Sequence, residues 1–134
     1  MSEALEKPLW VLAKEARAER AGWLGALSSG MVGVADLLAA AQGPSGRALG
    51  KLSLEDVLYA LMRSRWPKSP SHARRASRAA LAEVAARSGV PVSANTLTVS
   101  WLLHSRARDR RLDALAEALG RGSHKVPNER WPYR

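Results

Sequence analysis

With 134 residues, 46% of them hydrophobic and none of them cysteine, the chain is sized for one domain with a modest core. Disulfide frameworks, thiol catalysis and cysteine-based zinc sites are excluded. The net charge of +9 lies wholly in the second part: residues 1–50 carry five basic and five acidic side chains, residues 51–134 sixteen and seven. The absence of Phe and the abundance of Ala and Leu favour close-packed helices over sheets. No apolar run approaches the roughly 18–20 residues of a membrane span, the longest (Met31 to Gln42) being interrupted by Asp36. Glu3, Glu6 and Lys7 at the start do not resemble a signal peptide, so a soluble cytoplasmic protein is expected.

Pro8 suits a helix's first turn, and Leu9, Ala13, Ala16, Trp23 and Leu27 recur near helical spacing, which predicts a first helix to about Leu27. Ser28-Ser29-Gly30 ends it. A short second helix is expected over Val34–Gln42, followed by a turn at Gly43-Pro44-Ser45-Gly46. Ser53, with Asp56 three residues on, opens a third helix whose apolar face holds Leu54, Leu58, Leu61 and Met62. The two prolines of Trp66–Ser71 exclude helix there, and a fourth helix is predicted over His72–Ser88, stopping at Gly89. Thr98–Ser105 and Asp109–Leu119 are expected to form one or two closing helices. The expected fold is all-α, a single domain of five or six helices. It divides into an N-terminal helix packing on the core (1–30), a helical core (31–119) and a basic flexible tail (120–134).

Between Asp56 and Glu83 the chain has no carboxylate, yet Arg63, Arg65, Lys68, Arg74, Arg75 and Arg78 all fall there. Such one-sign clustering attracts polyanions, because each neutralised phosphate releases condensed counterions. Ser71 is read as preceding the fourth helix, whose first amides and dipole favour a phosphate. Ser71, Arg74, Arg75 and Arg78, at offsets 0, 3, 4 and 7, share one helical face, and His72 lies beside it. Lys68 and Ser69 in the preceding turn reach toward the same phosphates. These are backbone contacts, which position a protein without reading sequence. The plainer alternative is a solvated face of an arginine-rich chain. It explains sixteen Arg against five Lys but not their clustering.

A second cluster, Arg106, Arg108, Arg110 and Arg111, encloses Asp109 and sits beside Asp113, so DNA contact and local ion pairing compete there. Trp131 and Tyr133 in the tail are candidates for stacking on bases or on the domain itself.

Gly50-Lys51-Leu52-Ser53-Leu54, continuing through Val57-Leu58 and Leu61, resembles the integration host factor family of actinobacteria. Upstream, Arg17-Ala18-Glu19-Arg20-Ala21 with Leu27, Gly30 and Val34 is similar to that family's long first helix and its exit. The resemblance covers roughly residues 14–119 and implies a small monomeric nucleoid protein. It also implies a helix-two-turns-helix core whose turn docks on the backbone of double-stranded DNA, and a recombinase or integrase as possible partner. In this chain Pro67–Ser71 stands where the family has a Pro-Gly-rich turn, with Lys68, Ser69 and Pro70 in place of glycines. The Ala-rich helix that follows ends Ser88-Gly89-Val90, similar to the family's Leu-Gly-Ile, after a longer intervening segment.

The rival within DNA binding is a sequence-specific helix-turn-helix regulator. Leu81–Val90 would serve as positioning helix and Thr98-Val99-Ser100 would open a recognition helix presenting Thr96, Ser100 and His104. Pro91–Leu97 makes that turn longer than usual. Catalysis is not expected: His72, His104 and His124 are scattered, and no paired carboxylates or metal-ligand spacing is visible. Neither a cofactor nor a metal is implied. A basic module for RNA is the third reading.

Overall fold

The computed structural model describes residues 7–92 and 96–122. Among them it contains seven helices: α1 (Leu9–Ser29), α2 (Val34–Ala41), α3 (Gly46–Leu49), α4 (Leu54–Arg65), α5 (Pro70–Arg87), α6 (Val99–Leu102) and α7 (Arg108–Gly122). The all-α expectation holds, with one or two helices more than expected. The excess comes from α3 and α6, single turns of four residues each. None of the described helices is long and apolar enough to cross a membrane.

The central element is α4, which lies between α1 and α5, while α7 covers α5. Its Leu54, Val57, Leu58, Ala60 and Met62 are all buried. On α5 the buried set is Ala73, Ser77, Ala80, Leu81, Val84 and Ala85. Small alanines let that helix approach its neighbours closely, and the Ser77 hydroxyl is satisfied by donating to the Arg74 carbonyl at 3.0 Å. Leu115, Ala118 and Leu119 of α7 join the same core. Arg87 pairs with Glu83 on its own helix at 2.8 Å and with Glu117 of α7 at 3.7 Å.

The long first helix divides in two along its length. Its later turns pack Leu24 and Leu27 into the core, and Arg20 donates to the Ala48 carbonyl of α3 at 3.1 Å. Its first turns carry Leu9 and Trp10 at 83% and 68% exposure. The expected N-terminal helix therefore packs on the core only over its second half. The Gly43–Gly46 segment, expected as a plain turn, leads into α3 because Leu49 is drawn fully into the core.

Ser53 caps α4 as its spacing predicts, its Oγ accepting from the Asp56 amide at 3.1 Å. An unforeseen long-range pairing sits beside this cap. Segments 50–54 and 97–100 run antiparallel: Leu54 donates to Leu97 at 2.8 Å, Val99 to Leu52 and Ser100 to Gly50 at 2.9 Å each. Ser53 thereby faces Thr98, the N-cap of α6, whose Oγ1 accepts from the Trp101 amide at 3.1 Å. Gly50 is needed there, because a Cβ would lie 2.8 Å from the Gly46 carbonyl and 3.2 Å from Ser100 Cβ.

Two expected boundaries are corrected. The fourth helix begins at Pro70, not His72, and its cap is Ser69, not Ser71. Proline is tolerated at the first helical position because its missing N–H would have had no intrahelical partner. At the other end α5 stops as expected, with Gly89 at φ +71. The last helix starts at Arg108 and runs to Gly122, so helix enters the segment expected as tail. Residues 123–134, with Trp131 and Tyr133, lie outside the described residues, as does His124.

Candidate nucleic-acid interface

The α4–α5 turn is built by side chains that sequence spacing assigns to ligand binding. Arg63 donates through Nη1 to the carbonyls of Trp66 and Pro67, at 3.3 and 3.0 Å. It thus closes the end of α4, where unpaired carbonyls attract a cation. The Ser69 hydroxyl accepts from the His72 amide at 3.3 Å, and the His72 ring stacks on Trp66 with centroids 4.3 Å apart. Arg63, Ser69 and His72 hold the turn in one shape.

The same capping limits the start of α5 as an anion cradle. Pro70 has no N–H, the His72 amide is taken by Ser69 Oγ, and the Ala73 amide bonds the Ser69 carbonyl at 3.0 Å. Among the described residues, the Ser71 amide alone in this first turn is left without an acceptor. Ser71 itself is exposed, so its amide and hydroxyl are presented together.

Beyond Ser71 the outward face of α5 continues through Arg74, Arg75 and Arg78, all facing away from the buried Ala73, Ser77 and Ala80. This places Ser71 and the three arginines on one stripe, as their spacing predicts. Lys68, also exposed, stands in the turn at the stripe's upper end. The Arg74 guanidinium lies over the Tyr59 ring of α4, 4.0 Å from its centroid. Tyr59 is a contributor that charge clustering alone does not single out. Its place four residues before Arg63 on α4 is the available signal.

Arg65 does not join this stripe. It turns to another side of α4 and lines a groove with Leu27, Gly33, Asp36 and Ser64, whereas Tyr59 and Arg63 line the groove between α1 and α4.

The second arginine cluster belongs to a different end of the molecule. Arg111 donates to the Trp101 carbonyl and covers the Trp101 ring at 4.1 Å, so it closes α6 as Arg63 closes α4. Arg108 donates to Gln42 Oε1 at 3.3 Å, fastening α7 to the end of α2. Of the two alternatives for this cluster, local pairing with aspartate is not found: among the described residues no ion pair engages Asp109 or Asp113. Asp109 and Asp113 are both exposed to solvent, while Trp101 supplies the partner for Arg111. Arg106 and Arg110 are exposed. Because α6 is paired to the start of α4, this cluster and the α4–α5 turn are separated by the helix length, about 18 Å for twelve residues.

Among the described residues no three His, Asp or Glu side chains gather as a metal ion would require. Comparison with known proteins finds no match to a family model, to a curated protein or to a solved structure.

Proposed function

We propose that the chain binds double-stranded DNA through the phosphate backbone with little sequence preference, as an architectural protein of the nucleoid. The observation that carries this reading is the outward face of α5. Ser71, Arg74, Arg75 and Arg78 lie on one exposed stripe, extended by Lys68, in a stretch of chain without a carboxylate. A helix face that presents only cations and hydroxyls has no internal compensation for its charge, and phosphates supply it. The rigid turn that leads into the face supports docking with little ordering cost.

The resemblance to the actinobacterial integration host factors adds the helix-two-turns-helix interpretation of α4, its turn and α5. It also adds monomeric action and a recombinase or integrase as partner. The regulator reading is weakened by α6, whose four residues make barely one turn where a recognition helix must lie along a major groove.

A gel-shift series with random DNA duplexes of several lengths, beside duplex RNA, tests the proposal. Length-dependent coverage of every DNA sequence, with RNA bound more weakly, is the expected result. Binding to RNA alone, or to discrete DNA sites alone, would overturn it.

A further inference from the structure

Arg63, Arg74, Arg108 and Arg111 differ in how their guanidinium groups are occupied, and that difference distinguishes structural from ligand-facing roles. A guanidinium has two flat faces that stack on aromatics and an N–H edge that meets carboxylate or phosphate. Arg63 spends its edge on the carbonyls of Trp66 and Pro67. Arg111 uses both, its face on the Trp101 ring and its edge on the Trp101 carbonyl. Arg108 gives its edge to Gln42.

Arg74 is held by the Tyr59 ring, and among the described residues by nothing else. Its guanidinium carbon lies 4.0 Å from the centroid of the Tyr59 ring, and no described residue accepts from its edge. This cation–π contact restrains the group without an acceptor for its N–H donors, so they stay available to an anion arriving along the stripe. Neither Arg75 nor Arg78 is stacked on an aromatic ring among the described residues. They must give up side-chain freedom on binding, whereas Arg74 has already lost much of it.

We infer that Tyr59 is a positioning residue of the interface: its ring aims Arg74 at a DNA phosphate and makes Arg74 the strongest single contact on α5. The inference rests on the DNA-binding proposal, and Tyr59 acts only through Arg74. Tyr59 also lines the groove between α1 and α4 with Leu24, Gly25 and Arg63, so removing its ring alters packing as well as stacking. The test must therefore separate the two effects.

The experiment is a set of DNA titrations by fluorescence anisotropy on the whole chain at several salt concentrations, each variant being checked by circular dichroism melting. Tyr59→Phe keeps the ring and should bind like the wild type. Tyr59→Leu keeps apolar bulk but loses the π face, and should weaken binding about two- to fivefold, the range of an exposed cation–π contact. Arg74→Ala should cost about tenfold and lower the salt slope by about one unit, against about threefold for Arg75→Ala or Arg78→Ala. In the Arg74→Ala background, Tyr59→Leu should cost nothing further in binding.

A purely packing role for Tyr59 would instead give the same loss in both backgrounds, and that result would overturn the inference. So would wild-type affinity in Tyr59→Leu, or equal losses at Arg74, Arg75 and Arg78. If Tyr59→Leu does not fold, Arg74→Lys decides the matter, since lysine keeps the charge but lacks the planar face. Arg74→Lys should then bind more weakly than the wild type, and equal binding would overturn the inference. A wild-type chain that binds no duplex would overturn the DNA-binding proposal itself, whereas all the outcomes above require that it binds.

Discussion

Ser53 and Thr98 face each other across an antiparallel bridge, and each caps the helix that follows it, α4 and α6. Two helix starts far apart in sequence are thus fixed by one short pairing. Replacing either hydroxyl residue by Ala should cost about 1 kcal/mol, the usual value of such a cap. Thermal melting of Ser53→Ala, Thr98→Ala and the double variant checks this. A double variant that differs from the sum of the singles would show that the two caps are coupled through the bridge.

Gly50 offers a sharper test of the same junction. A Cβ at this position would meet the Gly46 carbonyl at 2.8 Å and Ser100 at 3.2 Å. Gly50→Ala should therefore destabilise the fold by about 1–3 kcal/mol, since backbone rather than a flexible side chain must give way. Chemical denaturation measures it, and an unchanged midpoint would contradict the tight contact.

Arg63 and Arg111 each close a helix with their guanidinium groups. Arg63→Ala and Arg111→Ala should lower stability by about 1–2 kcal/mol each, because carbonyls lose a charged donor. Arg106→Ala, at an exposed position, should leave the melting temperature unchanged. Melting curves of the three variants distinguish these roles.

The triple replacement of Arg74, Arg75 and Arg78 by Ala should weaken DNA binding uniformly across sequences while the helix survives, alanine being the better helix former. The same treatment of Arg106, Arg108 and Arg111 should cost less affinity and more stability. Paired binding and melting experiments on the two variants check the placement of the interface at α5. A reversed pattern would move the interface to the start of α7.

Much of this organisation is legible in the chain itself. Ser53 reads as a cap, Gly89 as a stop, and the stripe Ser71, Arg74, Arg75, Arg78 as one helical face, because all three follow from local spacing. Ser69-Pro70-Ser71 is ambiguous at that level. Either serine can cap, and Pro70 at the first helical position decides for Ser69. The pairing of 50–54 with 97–100 is invisible in sequence, since it joins residues more than forty apart and no periodicity reports it. The division among the arginines is equally hidden. Charge counting treats Arg63 and Arg74 alike, whereas the carbonyls of Trp66 and Pro67 occupy one and the Tyr59 ring holds the other.

The central claim is that the α5 face neutralises DNA phosphates, and the salt dependence of duplex binding tests it most directly. If Lys68, Arg74, Arg75 and Arg78 each neutralise about one phosphate, log K should fall against log salt with a slope of roughly −4. The Arg74/Arg75/Arg78 triple Ala variant should lose about three of these contacts and flatten the slope to roughly −1. A wild-type slope near zero, or a triple variant with the wild-type slope, would contradict the account.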